Sequence, residues 1–225
     1  VLTTDEVTGK SGEAIAYSTT SQITEFKKQG YKLVSDEFTA GDAKVYDYDT
    51  ARDQVYTVTL SERVEPVNPD NPTPQPNTPV NPGQPDSPRW PGTVENLDNK
   101  ESVSRTIHYV YEDGSKAKDD VVETLNFKRW SNVNLVTGHI DFQDWTTNDD
   151  TFDKVVSPTI AGYTADKSEI PAVSGVQAKD QDRVETVTYR KDAQKAVIRY
   201  VSTNGDRVLT TDEVTGKSGE AIAYS

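Results

Sequence analysis

Val208–Ser225 reads VLTTDEVTGKSGEAIAYS, and Val1–Ser18 reads VLTTDEVTGKSGEAIAYS as well. Eighteen consecutive identities do not arise by chance, so the sequence reads as a window on a tandem array, with both of its ends inside a repeat unit. The repeat sets the frame for everything else. Lys195–Ser225 reads as the opening of a unit whose continuation is Val1–Val64. An array of near-identical units presents one surface many times, which suits adhesion, spacing or avidity better than catalysis.

Outward from the repeat, Ala196–Ser202 has the alternation of a strand, Thr203-Asn204-Gly205-Asp206 reads as a tight turn, and Val208 onward is the return strand. At the other end, Leu2, Val7 and Ile15 lie in a Thr-rich segment that suits a half-buried strand. Thr19 and Gln22 have capping-box spacing for a short helix with Ile23 and Phe26 on one face. Lys27 and Lys28 suit its C-terminal end and Gly30 its stop. Tyr31–Val34 and Val55–Leu60 follow as strands. Residues 1–64 are thus expected as a small module whose first strand lies upstream, and 193–225 as the first hairpin of the next such module. That arrangement predicts either strand exchange between copies or an incomplete, partly disordered first module, because an empty strand position leaves backbone groups unpaired.

Ten of the twelve prolines fall between Pro66 and Pro91. Their spacing predicts an extended, semi-rigid linker over 65–99, and hence an elongated chain, with Trp90 pinning the linker to a neighbouring domain. Residues 100–192 form a second module. Thr106–Tyr111 is a strand, Glu112-Asp113-Gly114-Ser115 a turn, Asp120–Phe127 the return strand and Val184–Tyr189 a closing strand. The two modules share a plan. Ile198, Tyr200, Val201, Asn204 and Gly205 match Ile107, Tyr109, Val110, Asp113 and Gly114 in spacing. Gly30-Tyr31 matches Gly162-Tyr163, and Val55–Leu60 matches Val184–Tyr189. The second module carries additional residues ahead of Gly162, in the Trp130–Val156 region. A hairpin, an inserted helix and further strands predict an α+β chain of two small β-grasp (ubiquitin-like) domains.

The composition narrows the partners. With 37 acidic and 24 basic residues the net charge is −13, which argues against nucleic acid and anionic lipid. No apolar run is long enough to insert in a membrane. The absence of Cys excludes disulfide and thiol chemistry and fits either a cytosol or a Gram-positive exterior.

At the motifs Ile-x-Tyr-Val-x-x-[Asn/Asp]-Gly, Thr215-Gly216-Lys217-Ser218-Gly219-Glu220, Gly30-Tyr31-x-Leu33-Val34-Ser35-Asp36 and Arg105–Gly114, the chain resembles the mucus-binding (Mub) repeats of lactobacilli, with their paired B1 and B2 modules. The resemblance covers nearly everything outside the proline-rich stretch. It implies ubiquitin-like folds and a cell-wall-anchored surface adhesin of a Gram-positive bacterium. It also implies binding to mucin glycans and, for some repeats, to immunoglobulins. A structural stalk is the further alternative.

Catalytic signals are weak. His108 and His139 are the two histidines, and His108 reads as a satisfied sheet residue. Gly9-Lys10-Ser11 has the ending of a phosphate-binding loop, but the loop's first glycine would fall at position 4, which is Thr4. Asp47, Asp49 and Asp53 form the densest oxygen cluster, of a kind that takes structural calcium. A solvated acidic loop is the plainer alternative, and Asn148–Asp150 with Asp153 is a weaker version. Trp130, Trp145 and Tyr163 are the candidate glycan contacts, since a flat apolar ring stacks on a sugar face; the alternative places them in a core.

Overall fold

Strand dominates this chain. The computed structural model describes residues 1–204 and 207–225, and among them there is one α-helix and one 3-10 turn, where the sequence predicts an α+β balance. Helix α1 spans Thr20–Lys28 and stops as expected, with Gln29 donating back to Glu25 O and Gly30 turning at φ +96°. The capping box does not form. Thr19 sits in helical backbone without a side-chain cap, and its hydroxyl instead donates to Asp36 Oδ2 at 2.6 Å. Strands β1 (Tyr31–Asp36) and β2 (Val58–Glu62) then pair antiparallel, with a bulge between Leu33 and Ser35.

Two units emerge, residues 1–100 with 128–145 and residues 101–127 with 146–225. In the first unit β3 (Val64–Val67) follows β2 directly and carries Pro66 as a sheet residue. The proline-rich stretch is folded, not the free spacer its composition predicts. It turns back on itself at a Pro79–Arg89 bridge, where Val80 N donates to Pro88 O (2.9 Å), Asn77 N to Trp90 O (2.9 Å) and Trp90 N to Thr78 O (3.0 Å). Prolines lack an N–H, but the residues between them supply these bonds, so the ladder survives at alternate positions.

The second unit is built on β4 (Lys100–Tyr111) and β5 (Lys116–Lys128). Their turn is the expected one, with Gly114 N donating to Tyr111 O (2.9 Å) and Ser115 N to Asp113 Oδ1 (2.9 Å). The strands β6 (Ser131–Asn134) and β7 (Ile140–Phe142) belong to the first unit, where β3, β6 and β7 form one antiparallel sheet. Around that sheet lies the first unit's core, Val67, Val94, Val133 and Leu135, with Val80, Trp90, Leu97 and Ile140 against it. Trp90 therefore serves the core of its own unit. By contrast, Ile23 is the one buried hydrophobic residue over positions 1–62.

No α-helix stands between β5 and β11, where an inserted helix was expected. The short strands β8 (Val155–Val156), β9 (Tyr163–Ala165) and β10 (Glu169–Ile170) are found instead, before β11 (Arg183–Lys191). The main sheet has the order β5-β4-β11-β9, with β11 parallel to β4 and antiparallel to β9. Ile107, Tyr109, Ile170, Val187 and Tyr189 form its core. Beneath it Arg105 is 1% exposed. Its Nε donates to Glu123 Oε2 (2.7 Å), its Nη1 to Pro171 O (3.0 Å) and its Nη2 to Asp153 O, and its guanidinium lies over Phe152. A charge this deep is tolerated because every face of its fork is occupied.

Last come β12 (Ala193–Val201) and β13 (Val208–Lys217), an antiparallel pair in a sheet of their own. Of the turn expected at 203–206, Gly205 and Asp206 lie outside the described residues, and Ser202 N donates to Arg207 O (2.9 Å) across its base. Val1–Lys10, the same ten residues as β13, forms no strand.

Candidate functional site

The candidate glycan contacts fall on different units. Tyr163 opens β9 and packs into the second unit's core, its ring 4.8 Å from that of Tyr111. It is half-buried there. Trp130 and Trp145 lie in the first unit. Trp130 precedes β6 and is 47% exposed, with its carbonyl accepting from Gln143 N at 2.9 Å. Trp145 is half-buried. One face of its ring is covered by the guanidinium of Arg129, 4.2 Å from the ring centroid, and the same guanidinium stands 4.0 Å from the centroid of Phe142.

Arg129 is the organiser of this surface. Its Nε donates to Asp98 O (2.8 Å) and its Nη2 to Asp98 Oδ2 (3.0 Å), while its backbone N donates to Asn99 O (3.0 Å). A cation held flat between two aromatic rings fixes both rings. The stack holds Phe142 and Trp145 together, while Trp130, next to Arg129 in the chain, leaves its indole exposed. An exposed, flat apolar face with polar neighbours can stack on a sugar ring. Arg129 was not singled out in the sequence; its place immediately before Trp130, ahead of Phe142 and Trp145, is the signal that could have found it.

A second feature was not legible. A groove of about 380 Å³ is lined by Lys27, Tyr31, Lys32, Arg63, Gln84 and Ser87. Three cations gathered in one groove stand out on a chain of net charge −13, although Asp86 lines the groove with them and Arg63 also pairs with Glu65. The groove exists because the proline-rich segment packs back instead of extending, and composition gave no sign of that.

The acidic cluster is exposed and its carboxylates serve turns. Asp47 Oδ1 accepts from Asp49 N (3.0 Å) and Asp49 Oδ1 from Ala51 N (2.9 Å). Among the described residues no three His, Cys, Asp or Glu side chains converge as a metal site. His108 is satisfied on its strand, its Nδ1 2.9 Å from Asp120 Oδ2.

Two family models match the chain, a mucin binding domain over residues 1–62 and a Muc B2-like domain over residues 94–193. The chain belongs to the mucus-binding (Mub) repeats. Solved structures agree. The crystal structure of Mub-RV is 26% identical with a TM-score of 0.65, and the alignment covers 85% of this chain and 91% of that one. The type 2 repeat of the mucus binding protein MUB from Lactobacillus reuteri is 28% identical with a TM-score of 0.51, over the same shares. No curated relative matches. The Mub repeats are an adhesin-type binding family and not an enzyme family, and this one keeps their two-domain, mostly β architecture. No described helix is long and apolar enough to cross a membrane.

Proposed function

We propose that this Mub repeat binds mucin glycans at the surface of a Gram-positive cell, weakly per copy and tightly through repetition. Family membership supplies the ligand class, and the repeated Val1–Ser18 sequence supplies the argument for avidity. The observation that carries the contact is the exposed indole of Trp130. On this reading Trp130 stacks on a sugar face, and Tyr163 takes no direct part. We also read both modules as β-grasp sheets. The order β5-β4-β11-β9 with its parallel central pair supports this for the second.

The test is retention of the chain on immobilised mucin with Trp130→Ala. A lost stacking contact is worth about 1 kcal/mol, so retention should fall several-fold per site, and free mucin O-glycans should compete with the unmodified chain. Trp130→Ala has little folding role, because the side chain is exposed. Unchanged retention would remove Trp130 from the contact, and retention on mucin stripped of its glycans would remove glycan recognition altogether.

A further inference from the structure

We propose that the second unit has a mechanical function, in which the β4–β11 pair is a clamp that carries tension passed along the chain. The direction of the two strands is what gives the clamp its strength. β11 runs parallel to β4 over seven consecutive pairs, from Arg183 opposite Arg105 to Tyr189 opposite Tyr111. The backbone enters this sheet at Lys100, the first residue of β4, and leaves it at Lys191, the last residue of β11. In a parallel pair these two points lie at opposite ends of the ladder. A pull on the flanking chain therefore slides β11 lengthwise against β4 and loads all the hydrogen bonds between them together. The β12–β13 hairpin is the contrary case. Ala193 at its start stands opposite Lys217 at its end, so a pull on those two points parts the strands one pair at a time.

Each half of the clamp is tied back to the rest of its unit. Arg105 on β4 donates to Glu123 on β5 (2.7 Å), to Pro171 O (3.0 Å) and to Asp153 O. β11 pairs on its other side with β9, where Tyr189 stands opposite Ala165 and Lys191 opposite Tyr163. Asp166, just past β9, donates its N–H to Thr188 O (2.9 Å) and accepts from Thr188 N at Oδ1 (2.8 Å). Ahead of the first pair, Asp182 Oδ1 accepts from Ser104 N (2.7 Å) and pins the two strands together. With both strands tied back, the tension falls on the boundary between β4 and β11.

That boundary is dry on one face. Ile107, Tyr109, Val187 and Tyr189 are each 1% exposed or less, and β5 and β9 cover the outer edges of the pair. A strained hydrogen bond fails most readily when water replaces it, and the packed face keeps water out. Slippage is restricted too. Moving β11 by one residue would turn Val187 and Tyr189 away from the core, so the ladder re-forms only after a slip of two residues, about 6.6 Å. The clamp lies within residues 100–191, with chain on both sides of it.

That the chain is pulled in use rests on the adhesive reading above; the strength of the clamp does not. The chain has no cysteine, so introduced pairs fix where force is applied. Full-length molecules are stretched between handles on Lys100→Cys and Lys191→Cys, which slides β11 along β4, or on Glu112→Cys and Lys191→Cys, which peels the pair from one end. Glu112 and Lys191 share that end, where Arg190 Nε stands 3.6 Å from Glu112 Oε1, an exposed ion pair that contributes little. All three substituted side chains are exposed, so the two variants differ in the direction of pull and not in the fold. At one pulling rate the sliding geometry should break at a several-fold higher force than the peeling geometry. The total length released on sliding should be roughly 300 Å, that of residues 100–191 extended. Equal forces in the two geometries, or a higher force on peeling, would overturn the proposal. Retention on mucin without load tests the adhesive reading separately, so a failed clamp leaves that reading standing and failed retention leaves the clamp standing.

Discussion

At the scale of single residues, Gly30 shows how a local signal and a distant contact fall on one atom. Its φ of +96° already disfavours any side chain, and a Cβ there would stand 2.8 Å from Leu135 Cβ and 2.9 Å from the Leu135 carbonyl carbon. Gly41 has a similar φ of +75° with nothing within 4 Å. The two separate conformation from crowding. Gly41→Ala should destabilise by about 1 kcal/mol, the cost of a left-handed residue, and Gly30→Ala by about 2–4 kcal/mol because backbone must also move. Urea midpoints of the two variants check this; equal losses would mean that Leu135 yields freely. The stop at Gly30 was legible, because it follows Lys27-Lys28 at the end of a helical pattern. Its packing on Leu135 was not, since nothing local links positions so far apart. Trp130 and Trp145 were legible in the same limited sense. Their residue type announced them, but whether each faced solvent, a core or a cation depended on Arg129 and Asp98 arriving from other segments.

Among elements, the duplicated segment is a controlled comparison inside one molecule. Val208–Lys217 is a strand and Val1–Lys10 is not, although the sequences are identical. What the segment encodes by itself survives in both copies: Lys10 N donates to Glu13 and Lys217 N to Glu220, and Tyr17 and Tyr224 each donate to the Asp twelve residues earlier. The strand needs a partner and β12 is present for one copy, so turns were legible from sequence where pairing was not. The proline-rich stretch misled for the same reason. Its composition fits an open spacer, but Val67, Val80 and Trp90 at intervals within it supply a core face. A further cross-element tie is Asp36 at the end of β1, whose carboxylate accepts from Thr19 Oγ1 at the start of α1 and from Phe38 N and Thr39 N. Partial burial would raise its pKa, but these hydrogen bonds outweigh it and hold the carboxyl below the ordinary 3.8. A lowered folded-state value means that the stabilisation is fully present above about pH 4 and is lost as the pH falls through the folded value. Asp36→Asn should therefore destabilise by about 1 kcal/mol at pH 7, and the gap between it and the unmodified chain should shrink as the pH falls below the ordinary 3.8. A gap that stayed constant between pH 7 and pH 3 would mean that Asp36 acts through shape and not charge.

For the molecule as a whole, charge sets the terms on which it meets mucin. Sialylated or sulfated glycans are anionic, and a chain of net charge −13 repels them at neutral pH. At pH 4.5 ordinary Asp and Glu side chains are roughly 20–40% protonated, which brings the net charge to within a few units of zero. The fold should survive that change. The carboxyls of Asp36, Asp113, Asp119 and Asp182, held low mainly by hydrogen bonds, keep their bonds at this pH because each titrates below the ordinary Asp value. Binding measured at pH 4.5 therefore reads charge and not unfolding. Retention on mucin should be several-fold greater at pH 4.5 than at pH 7 in dilute buffer. The difference should shrink in ~0.5 M salt, where charges more than a few ångströms apart no longer feel each other. If retention is equal at the two pH values, long-range charge has no part in the binding. If the pH effect persists unchanged in high salt, it comes from a titrating group within the contact itself.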